Sequence, residues 1–85
     1  MIPQSKRTFD EQGYIFFTTR LYPVLPKEDR ESIESLCQGI AGAAWKALLS
    51  YIRGEDCWQK KAIEHGVSPA SLRRWKVKYY DKFLE

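Results

Sequence analysis

Apolar residues along this chain form a series of helical patterns behind a segment that shows none. Ile33, Leu36, Cys37 and Ile40 recur at intervals of three and four, which places their side chains on one face of a helix. Pro26 stands at the entry of that segment, followed by Glu28, Asp29, Glu31 and Glu34, acids set where the positive end of a helix dipole favours them. The pattern predicts a first helix ending between residues 39 and 42. A second is predicted over 42–53, with Ala41, Trp45, Leu48, Leu49 and Ile52 on one face and Gly54 as its stop. Trp45 is read as core. Asp56 is the candidate N-cap of a third helix through His65, where Gly66 can take a positive φ. Ser68 caps a fourth, with Pro69 in its first turn; it runs to about Leu84 and turns Leu72, Trp75, Tyr79 and Phe83 inward.

The first quarter of the chain behaves differently. Residues 1–12 are polar and without period, and are expected to form a flexible arm. Residues 13–25, GYIFFTTRLYPVL, are aromatic and β-branched, closed by Pro23 and Pro26. They are expected to be extended, or a short helix that packs. Tyr14, Ile15, Phe16, Phe17, Leu21 and Tyr22 crowd this segment, more apolar area than one side of a short element can bury. Phe16, Phe17, Leu21 and Tyr22 are therefore candidates for an oligomer contact, the alternative being that they complete the monomer core.

Eighty-five residues make one domain, because a chain this short buries only about two-thirds of the surface its unfolded form exposes. The expectation is a small all-α domain of four to five helices: an arm over 1–12, the aromatic segment over 13–25, a helical scaffold over 26–56 and a helix-turn-helix over 57–84. Hydrophobic residues make up 44% of the chain and aromatics 14%, enough to fold without metal or disulfide staples. Cys37 and Cys57 lie far apart with no Cys-x-x-Cys spacing, and are read as reduced core thiols. No metal or other cofactor and no small-molecule ligand is expected. The chain begins without the continuous apolar stretch of a signal peptide, and no apolar run of about 18 residues follows; a cytoplasmic protein with no membrane partner is expected.

Charge sharpens this picture by its position. The net charge is +3, yet residues 57–80 hold Lys60, Lys61, Arg73, Arg74, Lys76 and Lys78 against Glu64 alone, a local +5 that leaves −2 for the remainder. A cationic face on an otherwise near-neutral chain is what binding to phosphates requires. The same segment, WQKKAIEHGVSPASLRRWKV, has the spacing of a helix-turn-helix. Ala62 lies four residues before Gly66, small enough to let two helices approach; Gly66 makes the turn; Val67, Leu72 and Trp75 form the seam. Two positions depart from the pattern. Lys61 stands where an apolar residue is usual, with Ile63 expected to take over its burial, and His65 replaces a typical Leu or Tyr.

On the fourth helix, Ser68, Ala70, Ser71, Arg74 and Lys78 fall opposite Leu72, Trp75 and Tyr79, with Arg73 and Val77 near the edges. The short residues at its start would let it approach base edges, and an arginine can bond guanine bidentately. Lys60, Lys61, Lys76 and Lys78 are candidates for phosphate contacts.

With these residues in view, the chain resembles the PapB family of bacterial adhesin (fimbrial) operon regulators. The resemblance covers roughly residues 13–80: an aromatic segment ending in Leu25-Pro26, a helix reaching Gly39-Ile40, then AWKALLSYIRGEDCWQKKAIEHGVSPASLRRW. It implies an all-helical, nucleoid-associated transcription regulator that binds double-stranded DNA and assembles as a homodimer or higher oligomer. Gly-Val-Ser-Pro across the turn is closer to the generic motif of many repressors, so a plasmid or phage repressor is the alternative within that class. From other classes, a protein-interaction module would use the aromatic segment and basic surface on an acidic partner, and an RNA-binding protein would stack bases on the aromatics. An enzyme is not expected, since one histidine and acids gathered near helix starts do not make a nucleophile-base pair.

Overall fold

The computed structural model describes residues 5–85, and these contain five α-helices and no strand. They are α1 (Phe9–Arg20), α2 (Lys27–Ala41), α3 (Trp45–Arg53), α4 (Trp58–Glu64) and α5 (Pro69–Phe83). Short 3-10 turns, Tyr22–Val24 and Gly42–Ala44, lead into α2 and α3. The all-helical expectation holds.

The largest difference from expectation lies at the N-terminal end. Residues 13–25 take the packed-helix form, and that helix starts earlier, inside the expected arm. Thr8 and Glu11 form a capping box: the Thr8 hydroxyl accepts from the Glu11 amide at 3.2 Å while the Glu11 carboxylate accepts from the Thr8 amide at 2.9 Å. Residues 5–7 are tied down as well. The Ser5 hydroxyl and the Lys6 amide both donate to one Asp81 carboxylate oxygen, at 2.7 and 2.9 Å. Arg7 donates through Nε to the Tyr80 carbonyl at 3.2 Å and through its second nitrogen to the Asp81 carbonyl. A guanidinium there satisfies carbonyls that the last turn of α5 leaves open, at the end where the dipole favours a cation. Only residues 1–4 of the expected arm lie outside the described residues.

Each helix contributes to one core: Ile15 from α1, Ile33 and Cys37 from α2, Leu48, Leu49 and Ile52 from α3, Ala62 from α4, and Leu72, Tyr79 and Tyr80 from α5. Trp45, Trp75 and Phe83 pack against its edge, half-buried. Helices α2, α3 and α5 pack against one another, and α1 packs on α3 and α5. Burial raises the Cys37 thiol to about 12, so it stays an uncharged core group. Cys57 departs from the expected core position: it is exposed, at the step into α4. Asp56 makes no cap, and α4 begins at Trp58 with no side-chain hydrogen bond at its start. Helix α3 likewise begins after its 3-10 turn, three residues later than the predicted 42.

A hydrogen bond between α1 and α5 crosses the core. Thr19 is fully buried, and its hydroxyl donates to the Ile15 carbonyl at 2.7 Å. With its one proton so committed, Thr19 Oγ1 accepts from the Tyr79 hydroxyl, also at 2.7 Å. Burial pushes the Tyr79 phenol above its ordinary range. The pair is asymmetric. Thr19→Val strands a buried phenol and should cost about 1–3 kcal/mol, whereas Tyr79→Phe leaves Thr19 bonded to Ile15 and should cost about 0.5–1.5 kcal/mol. Urea unfolding of both variants measures this; an equal or reversed order would show that Thr19 is not the acceptor.

Candidate nucleic-acid interface

The turn between α4 and α5 is built from the backbone outward. The Gly66 amide donates to the Ile63 carbonyl at 3.1 Å and the Val67 amide to the Ala62 carbonyl at 2.9 Å, closing α4 with the paired bonds of a Schellman motif. That geometry needs a left-handed residue, and Gly66 supplies it at φ 65°. His65 sits exposed at the end of α4. Two residues later the backbone is extended at Ser68, whose hydroxyl accepts from the Ser71 amide at 3.2 Å, and Pro69 opens α5. A helix, a glycine turn and a capped helix therefore follow one another as the sequence predicts.

Their packing differs from prediction. Ala62 is buried, but α4 meets α3 most extensively and α5 only sparsely. Ala62 is thus a buried residue of a helix that packs mainly on α3. The second helix is seated on the scaffold through Leu72, fully buried, with Val67 and Trp75 half-buried beside the core. Ile63 does not take over the burial expected at Lys61; it is 80% exposed. Lys61 keeps that position, half-buried, with Nζ 3.8 Å from the Glu55 carboxylate.

Glu55 is a junction. It accepts from the Ser50 hydroxyl at 2.8 Å and from Arg53, and Cys57 Sγ lies 3.6 Å away. Burial alone would raise its pKa; the Ser50 hydrogen bond and the Arg53 and Lys61 charges outweigh burial and hold it below the usual carboxylate range. The Arg53 guanidinium in turn lies 5.7 Å from the Tyr22 ring centre, and the Tyr22 hydroxyl donates to Glu34. Tyr22 is raised to about 12, by burial first and by Glu34 second. This chain of contacts fastens the α3–α4 connection to α2 and removes Tyr22 from the candidate oligomer surface. Phe16 is half-buried too, edge-on to Phe17 at 5.4 Å.

The six cations of the motif divide into two groups. Lys61 is engaged with Glu55. Lys76 is half-buried, with Nζ 5.6 Å from the Tyr51 ring centre and 6.0 Å from that of Tyr80, and burial lowers its pKa. It braces α5 against α3 through cation–π contacts rather than facing a phosphate. Its place was legible: Leu72, Lys76, Tyr79 and Tyr80 follow the four-three spacing of one helix face. Lys60, Arg73 and Lys78 are exposed and have no hydrogen-bond or ion-pair partner among the described residues. Arg74 is exposed and donates to Ser71 Oγ at 3.2 Å, and the same oxygen accepts from the Ser68 hydroxyl at 3.1 Å. Ala70, Arg73, Arg74, Val77 and Lys78 line one open surface along α5.

Comparison with protein-family models, with curated proteins and with solved structures finds no match. Among the described residues, no three His, Cys, Asp or Glu side chains gather as a metal site would need, and no helix is long and apolar enough to cross a membrane.

Two outcomes follow for the site's scaffold. Ala62→Leu inserts methylenes where α4 abuts α3 and should lower stability by about 1–3 kcal/mol, read as a lower thermal midpoint. For Glu55, the sign follows from its lowered folded pKa. The folded state prefers the charged form, so this contribution is complete above the ordinary value of 4.5 and is lost as pH falls through the folded pKa. Glu55→Gln should therefore cost on the order of 1 kcal/mol at neutral pH and less as pH falls from 4.5 through the folded pKa. Denaturant titrations at pH 7 and pH 3 compare the two; an equal difference at both would remove the charge from the account.

Proposed function

We propose that this protein is a sequence-specific DNA-binding transcription regulator that inserts α5 into the major groove. The observation that carries this reading is the division of α5 into two faces. Leu72, Tyr79 and Tyr80 are buried while Ala70, Arg73, Arg74 and Lys78 stand together in solvent, behind a capped, glycine-turned start. Side chains at the start of a recognition helix reach base edges, and those of Ser68, Ala70 and Ser71 are short enough not to hold the helix away. Arg74, steadied by Ser71, is suited to bidentate bonding of guanine; Lys60, Arg73 and Lys78 supply charge for phosphates. Acting on DNA would place the protein at the bacterial nucleoid.

The finer reading is control of an adhesin operon, and its support is the resemblance of residues 13–80 to PapB-family regulators. A plasmid or phage repressor would use the same α5 face. Selection of sites from a random duplex library, followed by a search for those sites beside adhesin genes, separates the two.

Binding to a selected duplex across a salt series tests the interface. Arg74→Ala should weaken binding by about 1–3 kcal/mol and relax preference at one base position, and Lys78→Ala should flatten the salt slope by about one. Lys76→Ala, by contrast, should lower the thermal midpoint and leave the salt slope unchanged, because its charge is spent on Tyr51 and Tyr80. If Arg74→Ala and Lys78→Ala both bind as the parent does, α5 is not the reading helix.

A further inference from the structure

The outer face of α1 carries a charge pattern that complements itself. Opposite the buried Gln12, Ile15 and Thr19 lie Asp10, Gly13, Phe17 and Arg20, spaced three, four and three as in an a/d seam. Phe17 is 66% exposed, and Tyr14 and Leu21 flank the strip at 58% and 54%. Asp10 has no hydrogen-bond or ion-pair partner among the described residues, and Arg20 has only the face of the Phe16 ring, 5.5 Å away. Tyr14 and Phe17 thus lie exposed between an acid in the first turn and a base in the last turn of α1, with Leu21 just beyond Arg20; large apolar side chains grouped on one exposed face mark a contact surface.

We infer that α1 is the interface of a symmetric homodimer in which two copies of this helix pair antiparallel. Antiparallel pairing centred on Ile15 sets Asp10 of each copy across from Arg20 of the other. It also sets each Phe17 against the other copy's Gly13, which has no side chain of its own. A two-fold axis produces each of these contacts twice. Parallel pairing would instead stack Asp10 on Asp10 and Arg20 on Arg20, which repel. The spacing is the same in both directions while the charges at its two ends are opposite, so the strip complements itself when turned end for end, and this points to a second copy as the partner rather than a different protein. The oligomer surface is thus narrower than residues 16, 17, 21 and 22: Phe17 and Leu21 belong to it, while Phe16 and Tyr22 face the monomer core. The inference stands apart from DNA binding, and its test contains no DNA.

Sedimentation equilibrium over a concentration series, with the full chain, supplies that test. The parent should move from 10.0 kDa toward twice that mass as concentration rises. Asp10→Arg and Arg20→Asp should each sediment as monomers over the same range, because each confronts like charges across the seam. Mixed in equal amounts they should form a heterodimer, since one copy then carries two cations and the other two anions. Phe17→Asp should be monomeric alone and in every mixture. Circular dichroism melts of each variant separate lost pairing from lost fold, and the mixture restores pairing only if both singles are folded. A parent that stays at 10.0 kDa throughout, charge variants that dimerise as well as the parent, or folded singles that fail to pair when mixed would each overturn the inference.

Discussion

Tyr79 brings a phenol into the middle of a small all-helical core, and most of the architecture can be read from what that hydroxyl requires. A buried hydroxyl without a partner costs about 1–3 kcal/mol, a large share of the stability that so small a domain can possess. Thr19 answers the requirement from α1, with its own proton turned back onto the Ile15 carbonyl. The bond joins residues sixty positions apart, so it fixes α1 and α5 against one another only once the rest of the core has closed. Cys37 and Ile33 of α2 belong to the same buried cluster. What keeps α1 in place is thus one polar contact inside an apolar setting, reinforced at its start by the strap of residues 5–7 onto the end of α5.

That strap links the two chain ends through charge. Asp81 accepts from Ser5 and Lys6, and Arg7 covers the carbonyls of Tyr80 and Asp81. Burial would push Asp81 up, and these neighbours together hold it down. Most of this group is near solvent, where each contact contributes little alone. Its effect is to satisfy the C-terminal end of α5, as Ser68 caps the N-terminal end.

Legibility from sequence followed the apolar spacing. Helices α2, α3 and α5 were visible because Ile33–Cys37–Ile40, Leu48–Ile52 and Leu72–Tyr79 repeat at helical intervals, and Gly54, Gly66 and Ser68 mark ends through backbone chemistry. Spacing does not decide between extended and helical for α1 because its buried face is Gln12, Ile15 and Thr19: two of these three inward residues are polar, and Phe9, Tyr14 and Phe17 point outward. A signal was nonetheless present in Thr8-Phe9-Asp10-Glu11, which has the S/T-x-x-E form of a capping box. Within the motif, Lys61 at an apolar position looked like a defect to be repaired by Ile63. The structure repairs it with Glu55, six residues upstream in a loop, a partner that periodicity cannot reveal.

The separation of cations into structural and free ones bears on how strongly such a surface could hold a polyanion. Each neutralised phosphate releases condensed counterions, so affinity scales with the cations that are free to approach and not with the formal total. Lys61 and Lys76 are occupied within the fold, leaving Lys60, Arg73, Arg74 and Lys78 from the six. Four contacts give weak, salt-sensitive attachment for one copy. A second copy on the same duplex adds its contacts at high effective concentration, provided that both α5 helices can reach the groove together. Helix α1 lies on the core side of α5, bonded to its inner face through Tyr79, so pairing through the far side of α1 leaves the outer face of α5 uncovered. The buried Thr19–Tyr79 contact would then do more than stabilise the monomer: it sets the orientation of the self-pairing face relative to the cationic one, and with it the spacing of any two half-sites.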